Sequence, residues 1–136
     1  MKTVAIIGDR FMLPRLFEQA LREACGEDLA IRSLEQAWPD QPMEHGYAKA
    51  GMAGLKEYIG EPDDIVAFID DAPILVTHLA PLSAAMMDRL PALKLVVVSR
   101  GGPVNIDIAA ARDRGIKVVN TPGRNASAVA EFAIGA

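Results

Sequence analysis

The chain has few of the residues by which several classes of protein are identified. Its single cysteine, Cys25, excludes an internal disulfide, and a reducing cytoplasm is the expected location. Neither paired cysteines nor a His-x-x-x-His spacing is present, so no metal site is predicted. The 14 basic residues form no cluster and are outnumbered by 18 acidic ones, which leaves a net charge of −4. Nucleic acid is therefore not expected as a partner.

Long apolar runs are missing as well. The first residues contain only a short apolar stretch ending at Gly8, which is too short for the core of a secretory signal and fits a first strand better. No later run approaches the roughly 20 apolar residues that span a bilayer. The composition, 51% hydrophobic and 24% charged, is that of an ordinary globular domain with no membrane partner.

Short apolar segments alternate with helical patterns along the chain, and no Asn-Gly or Asp-Gly hairpin signal separates them. This alternation favours parallel strands joined by right-handed crossovers. The predicted fold class is α/β, a flavodoxin-like open parallel sheet of about five strands with helices on both faces. Strands are predicted at 3–7, 29–34, 73–76, 95–98 and 116–119, and helices at 13–24, 51–59, 62–69, 83–90, 108–114 and from about 125 onward.

Ligands of open parallel sheets bind beyond the carboxyl ends of the strands, so the residues after each strand are the candidate site. After the fourth strand, Gly101 and Gly102 can present backbone N–H groups to an anion, and Arg100 can add a charge-assisted contact to a carboxylate. Such a loop by itself is also compatible with a plain turn beside a solvated arginine. After the third strand, Thr77 and His78 could face a ligand bound at the carboxyl ends of the strands.

His78 and His45 are the two histidines of the chain. An isolated histidine is more often structural or solvated than catalytic, and neither residue stands in a nucleophile-base arrangement in the sequence. The first strand is followed by Gly8-Asp9-Arg10-Phe11 rather than by a Gly-x-Gly-x-x-Gly fingerprint. A nucleotide is therefore expected to bind outside this segment.

Residues 126–136 are mostly Ala, Val, Ile and Phe with one charge, Glu131, and no lysine or arginine closes them as is usual in the last turn of a helix. The pattern indicates a helix interrupted in its middle, and the alternative is a natural terminus that happens to be apolar.

The stretch from Leu93 to Asp107, LKLVVVSRGGPVNID, followed by RGIKVVNTPGRNASAVAEF, resembles the D-isomer-specific 2-hydroxyacid dehydrogenases, the family of phosphoglycerate dehydrogenase. The resemblance covers about forty residues in order and spacing. Upstream of this stretch, the chain resembles the family only in the order in which predicted strands and helices alternate.

The resemblance implies a two-domain oxidoreductase that transfers a hydride between NAD or NADP and a small 2-hydroxy or 2-oxo acid. Residues 1–124 would be the substrate-binding domain, and residues 125–136 the start of a helix leading to a cofactor domain outside this chain. It implies that Gly101 and Gly102 bind the substrate carboxylate and that Asn125 lies near substrate and nicotinamide. The family's catalytic residues belong to the cofactor domain, so none is expected here, and members are commonly homodimers.

Two departures from the family pattern bear on the substrate. Pro103 follows Gly102 and has no N–H, which removes one possible donor to an anion. Thr77-His78 stands where many relatives acting on phosphorylated substrates carry an arginine, so a phosphoglycerate substrate is not predicted and the particular acid stays open.

Two other functions remain as alternatives. A stand-alone carboxylate-binding or dimerising module would bind without catalysis and would cover the apolar last helix with a second copy. A receiver-type signalling domain has the same alternation of strands and helices. It requires an aspartate at the end of the third strand, where this chain has Thr77, and is ranked below the others.

Overall fold

The computed structural model describes residues 2–9, 13–25, 29–36, 61–99 and 105–120. Within these residues the chain forms five β-strands and four α-helices in alternating order. In chain order they are β1 (Lys2–Gly8), α1 (Pro14–Cys25), β2 (Leu29–Glu35), α2 (Pro62–Ile69), β3 (Ile74–Thr77), α3 (Ala84–Asp88), β4 (Leu95–Val98), α4 (Ile108–Asp113) and β5 (Lys117–Asn120).

The five strands form one sheet in the order β2-β1-β3-β4-β5, and each neighbouring pair is parallel. This is the flavodoxin-like order, so the predicted fold class is confirmed. In the sheet, β2 lies on one side of β1 and β3 lies on the other side, so the direction in which strands are added reverses after β2. The β1/β3 boundary is therefore the topological switch point of the sheet, where ligands of such folds bind.

Helices lie on both faces of the sheet because the strand residues alternate between two apolar clusters. One cluster joins strand residues such as Val4 and Ile6 to Phe17 and Leu21 of α1. The other joins Ala5, Ile7, Leu75, Val96 and Val98 to the buried sides of the remaining three helices, namely Ile65, Val66, Ile69, Met86, Met87, Ala110 and Ala111. The strands β1, β3 and β4 are thus covered on both sides.

The helix boundaries follow the capping signals of the sequence. Ser83 Oγ accepts a hydrogen bond from the Met86 N–H at the start of α3, and Asp107 Oδ1 accepts one from the Ala110 N–H at the start of α4. Gly115 follows α4 with a φ of 71°, a conformation that favours glycine. The sequence predicts Ser83 and Asp107 as N-caps by residue type and Gly115 as the end of the helix that begins at 108, and the structure confirms all three.

An exposed ion pair joins α3 to the end of α4. Arg114 Nε lies 2.7 Å from Asp88 Oδ1. This hydrogen bond, with a smaller Coulombic contribution from the same guanidinium, lowers the pKa of Asp88 below that of a free aspartate, and the carboxylate raises the pKa of Arg114. The pair ties together two helices on the same face of the sheet.

Several predicted boundaries differ from the structure. The third and fifth strands lie one residue later than the predicted 73–76 and 116–119, because Thr77 and Asn120 still pair in the ladder with Val98. The third helix is shorter than 83–90, since Ser83 serves as its cap and Arg89 closes it. The predicted helices at 51–59 and from 125 onward lie outside the described residues.

Candidate functional site

Three polar residues directly follow the central strands: Asp9 follows β1, His78 follows β3 and Ser99 follows β4. The parallel register aligns these strand ends, with Ile7 beside Thr77 and Thr77 beside Val98. The backbone N–H of Ser99 also donates to the Thr77 carbonyl at 2.9 Å. All three residues are buried, so the sheet carries a polar group at each of three adjacent strand ends.

Asp9 and His78 are in direct contact at the switch point. His78 Nδ1 lies 2.7 Å from Asp9 Oδ2, and the side chains are 5% and 0% exposed. The treatment of His78 as an isolated histidine was therefore wrong, because a partner 69 residues away in the sequence reaches it through the β1-β3 pairing. Asp9 is one of the residues after a strand that the sequence marks as candidate site positions, but its pairing with His78 was not predicted. The signal for the pairing is that the two residues follow strands that become neighbours in the sheet.

Thr77 uses its hydroxyl within the protein. Oγ1 donates to the Ile7 carbonyl at 2.9 Å and accepts from the Ala80 N–H at 3.2 Å. The side chain is fully buried. In this structure Thr77 thus joins β1 to β3 and shapes the segment that carries His78.

Asn105 is a residue that sequence reasoning missed. Its side chain is buried, and Nδ2 donates to the Ala80 carbonyl at 2.8 Å and, more weakly, to the His78 carbonyl at 3.4 Å. Its own carbonyl accepts from the Leu82 N–H at 3.0 Å. Asn105 therefore fixes the backbone of the segment after β3, and it does so from just beyond the predicted Arg100-Gly101-Gly102 loop.

Ser99 is 1% exposed, and its Oγ has no hydrogen-bond partner among the residues that the structure describes. A buried hydroxyl without a partner costs about 1–3 kcal/mol, so such groups are rare in folded proteins. This one stands at the end of β4, directly before Arg100 in the sequence. It is the kind of atom that a polar ligand at this edge would satisfy.

The predicted site residues Arg100, Gly101, Gly102 and Asn125, as well as His45, lie outside the described residues. Their roles stay predictions. Of the predicted set, the structure describes Thr77 and His78 and places both at the β1/β3 boundary.

The described residues do not fit a dinucleotide. A pyrophosphate at the end of β1 needs a glycine-rich turn with free N–H groups. The fully buried residue at that point is Asp9, whose carboxylate would repel a phosphate.

Among the described residues, no group of three His, Cys, Asp or Glu side chains could hold a metal ion. No helix in the described ranges is long and apolar enough to cross a membrane.

The fold defines the molecule as a doubly wound α/β domain, and its buried polar strand ends lie at the edge where ligands of such folds bind. A family model described as D-isomer specific 2-hydroxyacid dehydrogenase, catalytic domain, matches residues 42–134, more than half of the chain. The chain therefore belongs to this family.

Its relatives carry names of the same kind. YoaD of Bacillus subtilis, named as a 2-hydroxyacid dehydrogenase, is 51% identical over 61 residues, which are 45% of this chain and 18% of that protein. Hydroxypyruvate reductase of Thermotoga maritima is 37% identical over 76 residues, 55% of this chain and 25% of the relative. The chain thus matches a quarter or less of the length of these relatives.

A solved structure with the same fold is the NAD+-bound 3-phosphoglycerate dehydrogenase of Entamoeba histolytica. It aligns with a TM-score of 0.57 and 23% identity over 96% of this chain and 37% of its own. At this identity the likeness confirms the fold.

Proposed function

We propose that this chain is the substrate-binding part of an NAD-dependent oxidoreductase that acts on the CH–OH group of a D-2-hydroxy acid. The observation that carries the proposal is the family match over residues 42–134, which includes the two polar strand ends at His78 and Ser99. In such an enzyme this domain holds and orients the acid, which contributes to catalysis by fixing the geometry of the reacting carbon.

The substrate carboxylate is proposed to bind at the Arg100-Gly101-Gly102 loop, through backbone N–H groups and the guanidinium. Described residues on either side of the loop support this. Ser99, before the loop, has a buried hydroxyl that lacks a partner in the described part of the chain. Asn105, after it, is hydrogen-bonded to the segment that carries His78. Both flanks of the loop are thereby held at the same edge of the sheet. Asn125 is proposed to approach the same substrate.

The cofactor is proposed to be NAD, or NADP, bound by a second domain rather than by these residues. The support is the family, together with the misfit between the end of β1 and a pyrophosphate. Homodimer formation and a cytoplasmic location belong to the same proposal and rest on the resemblance and on the single cysteine.

The test begins with the intact protein purified from the cells that make it. Its mass is measured, and oxidation of NADH and NADPH is followed with a panel of 2-oxo acids. We expect turnover of at least one acid, and a loss of about 10- to 100-fold in kcat/KM for Arg100→Gln, the usual effect of removing a charged hydrogen bond. Arg112→Gln, the same change at an exposed position of α4, is the control and should leave kcat/KM unchanged.

Two results would contradict the proposal. Absence of turnover with every acid and both cofactors would exclude a dehydrogenase. If the mass also equalled the 14.6 kDa of these residues, a stand-alone carboxylate-binding module would be the better description. Equal activity of the Arg100 variant and the control would show that the substrate carboxylate does not bind at this loop.

A further inference from the structure

The Asp9–His78 pair lies where a ligand is expected. The two residues follow β1 and β3, the neighbouring strands between which the direction of winding changes. The crevice of a doubly wound sheet opens at this point. The pair is almost entirely buried, yet the His78 side chain keeps 5% exposure.

The Asp9–His78 contact is not needed to hold β1 against β3. Four residue pairs from Val4↔Ile74 to Ile7↔Thr77 already join these strands, and the Thr77 hydroxyl adds a bond to the Ile7 carbonyl. A buried carboxylate and imidazole are costly to desolvate, and apolar residues of similar size would stabilise the same junction at least as well. Polar groups that the fold does not need are characteristic of functional sites.

The contact determines which ring nitrogen remains available. His78 Nδ1 is in contact with Asp9 Oδ2, and an ionised carboxylate can only accept, so we assign the proton to Nδ1 and leave Nε2 as the nitrogen that meets a ligand. The backbone around the ring is held by Asn105, whose amide donates to the carbonyls of His78 and Ala80. The Asp9 contact orients the ring and the Asn105 bonds hold the backbone that carries it, so Nε2 is positioned before a ligand arrives, which favours selective binding.

We propose that Asp9 is a positioning residue that holds His78 Nε2 for a hydroxyl group on the carbon chain of the substrate, so that the pair selects hydroxyl-bearing 2-oxo acids over alkyl ones. This inference rests on the proposed function. A hydroxyl can both donate and accept, so it satisfies Nε2 whether or not that nitrogen carries a proton. An alkyl group would leave the nitrogen buried without a partner, and a site built for a hydroxyl rejects such analogues.

The test compares hydroxypyruvate with 2-oxobutyrate, in which a methyl group replaces the hydroxyl. We expect wild-type kcat/KM to favour hydroxypyruvate by about 10- to 100-fold, the usual cost of an unpaired buried polar group. His78→Phe should reduce this preference to about threefold or less while retaining turnover of 2-oxobutyrate. Asp9→Asn should reduce it partly. Asp88→Asn, the same substitution at an exposed aspartate, should not change it.

A spectroscopic measurement separates positioning from a purely structural role. The ¹⁵N NMR signals of the His78 ring should show a proton on Nδ1 in the wild type, and hydroxypyruvate should shift the Nε2 signal. In Asp9→Asn the distribution of the proton between the two nitrogens should change, even if the variant remains as stable as the wild type.

The outcomes distinguish this inference from the proposed function. Turnover of both acids with a preference that survives His78→Phe would overturn the inference and leave the dehydrogenase in place. Absence of turnover together with a hydroxypyruvate-dependent shift of Nε2 would overturn the dehydrogenase and leave the binding role. An Nε2 signal that hydroxypyruvate does not shift would overturn the inference regardless of activity.

Discussion

Gly115 shows how a single residue ends an element. It follows α4 with a φ of 71°, a left-handed conformation in which a Cβ is strained, and a Cβ built there meets no atom within 4 Å. A side chain at this position would therefore destabilise the protein through backbone strain and not through steric overlap.

Gly115→Ala should lower the free energy of unfolding by about 1–2 kcal/mol, the penalty of a left-handed conformation for a residue with a Cβ. Gly115→Asn should lose less, because asparagine tolerates this conformation. Urea unfolding of the two variants and the wild type measures both losses. Equal losses for alanine and asparagine would show that the backbone conformation is not the cause.

At the same scale, the sequence could predict residues whose role depends on their neighbours along the chain. The caps Ser83 and Asp107 and the stop at Gly115 are local signals, and all three are found in the structure. The contact between Asp9 and His78 could not be predicted in this way, because it depends on which strands become neighbours and on how their ends align.

Among the elements, α1 illustrates the division between a buried and an exposed side. Leu21 is 1% exposed and packs in the apolar cluster beneath the helix, whereas Leu16 on the same helix is 40% exposed. The two leucines have the same chemistry and the same helix propensity, so only their burial differs.

Leu21→Ala should therefore destabilise the protein by about 2–5 kcal/mol through lost burial and the cavity that remains. Leu16→Ala is the matched control and should cost about 0.5 kcal/mol or less. Thermal and urea unfolding give both values. Similar losses at the two positions would contradict the assignment of the buried side of α1.

The periodicity of the sequence predicted this helix because its apolar residues repeat at helical spacing. The strands β3 and β5 were predicted one residue too early, because apolar character stops at Val76 and Val119 whereas the hydrogen-bond ladder includes the polar residue that follows each. Backbone pairing does not depend on the side chain, so a polar strand end carries no signal in composition.

At the scale of the whole molecule, the Asp88–Arg114 pair makes stability depend on pH. The pKa of Asp88 is lower in the folded protein than in the unfolded chain, chiefly because of the Arg114 hydrogen bond. Its stabilising contribution is therefore complete above the unfolded pKa of about 4 and is lost as the pH falls through the lower, folded value.

Asp88→Asn should accordingly lower the Tm at neutral pH, and the difference from the wild type should shrink as the pH is lowered below about 4. The effect should be small, because the pair is solvent-exposed and screened by salt. Thermal scans across this pH range at low salt provide the measurement. A difference that stays constant or grows toward acid pH would contradict the assigned direction.

The strand order also has a consequence for how the chain reaches its native state. The inner strand β1 pairs with β3, although about seventy residues separate them, and Asp9 meets His78 across a separation of 69 residues. Contacts of such long range are slow to form, because closing a large loop costs entropy before the contact contributes any stabilising energy. During synthesis β1 can pair with β2 well before β3 has left the ribosome. The acidic end of β1 consequently acquires its histidine partner late, and the edge that would bind substrate is among the last parts of the sheet to be completed.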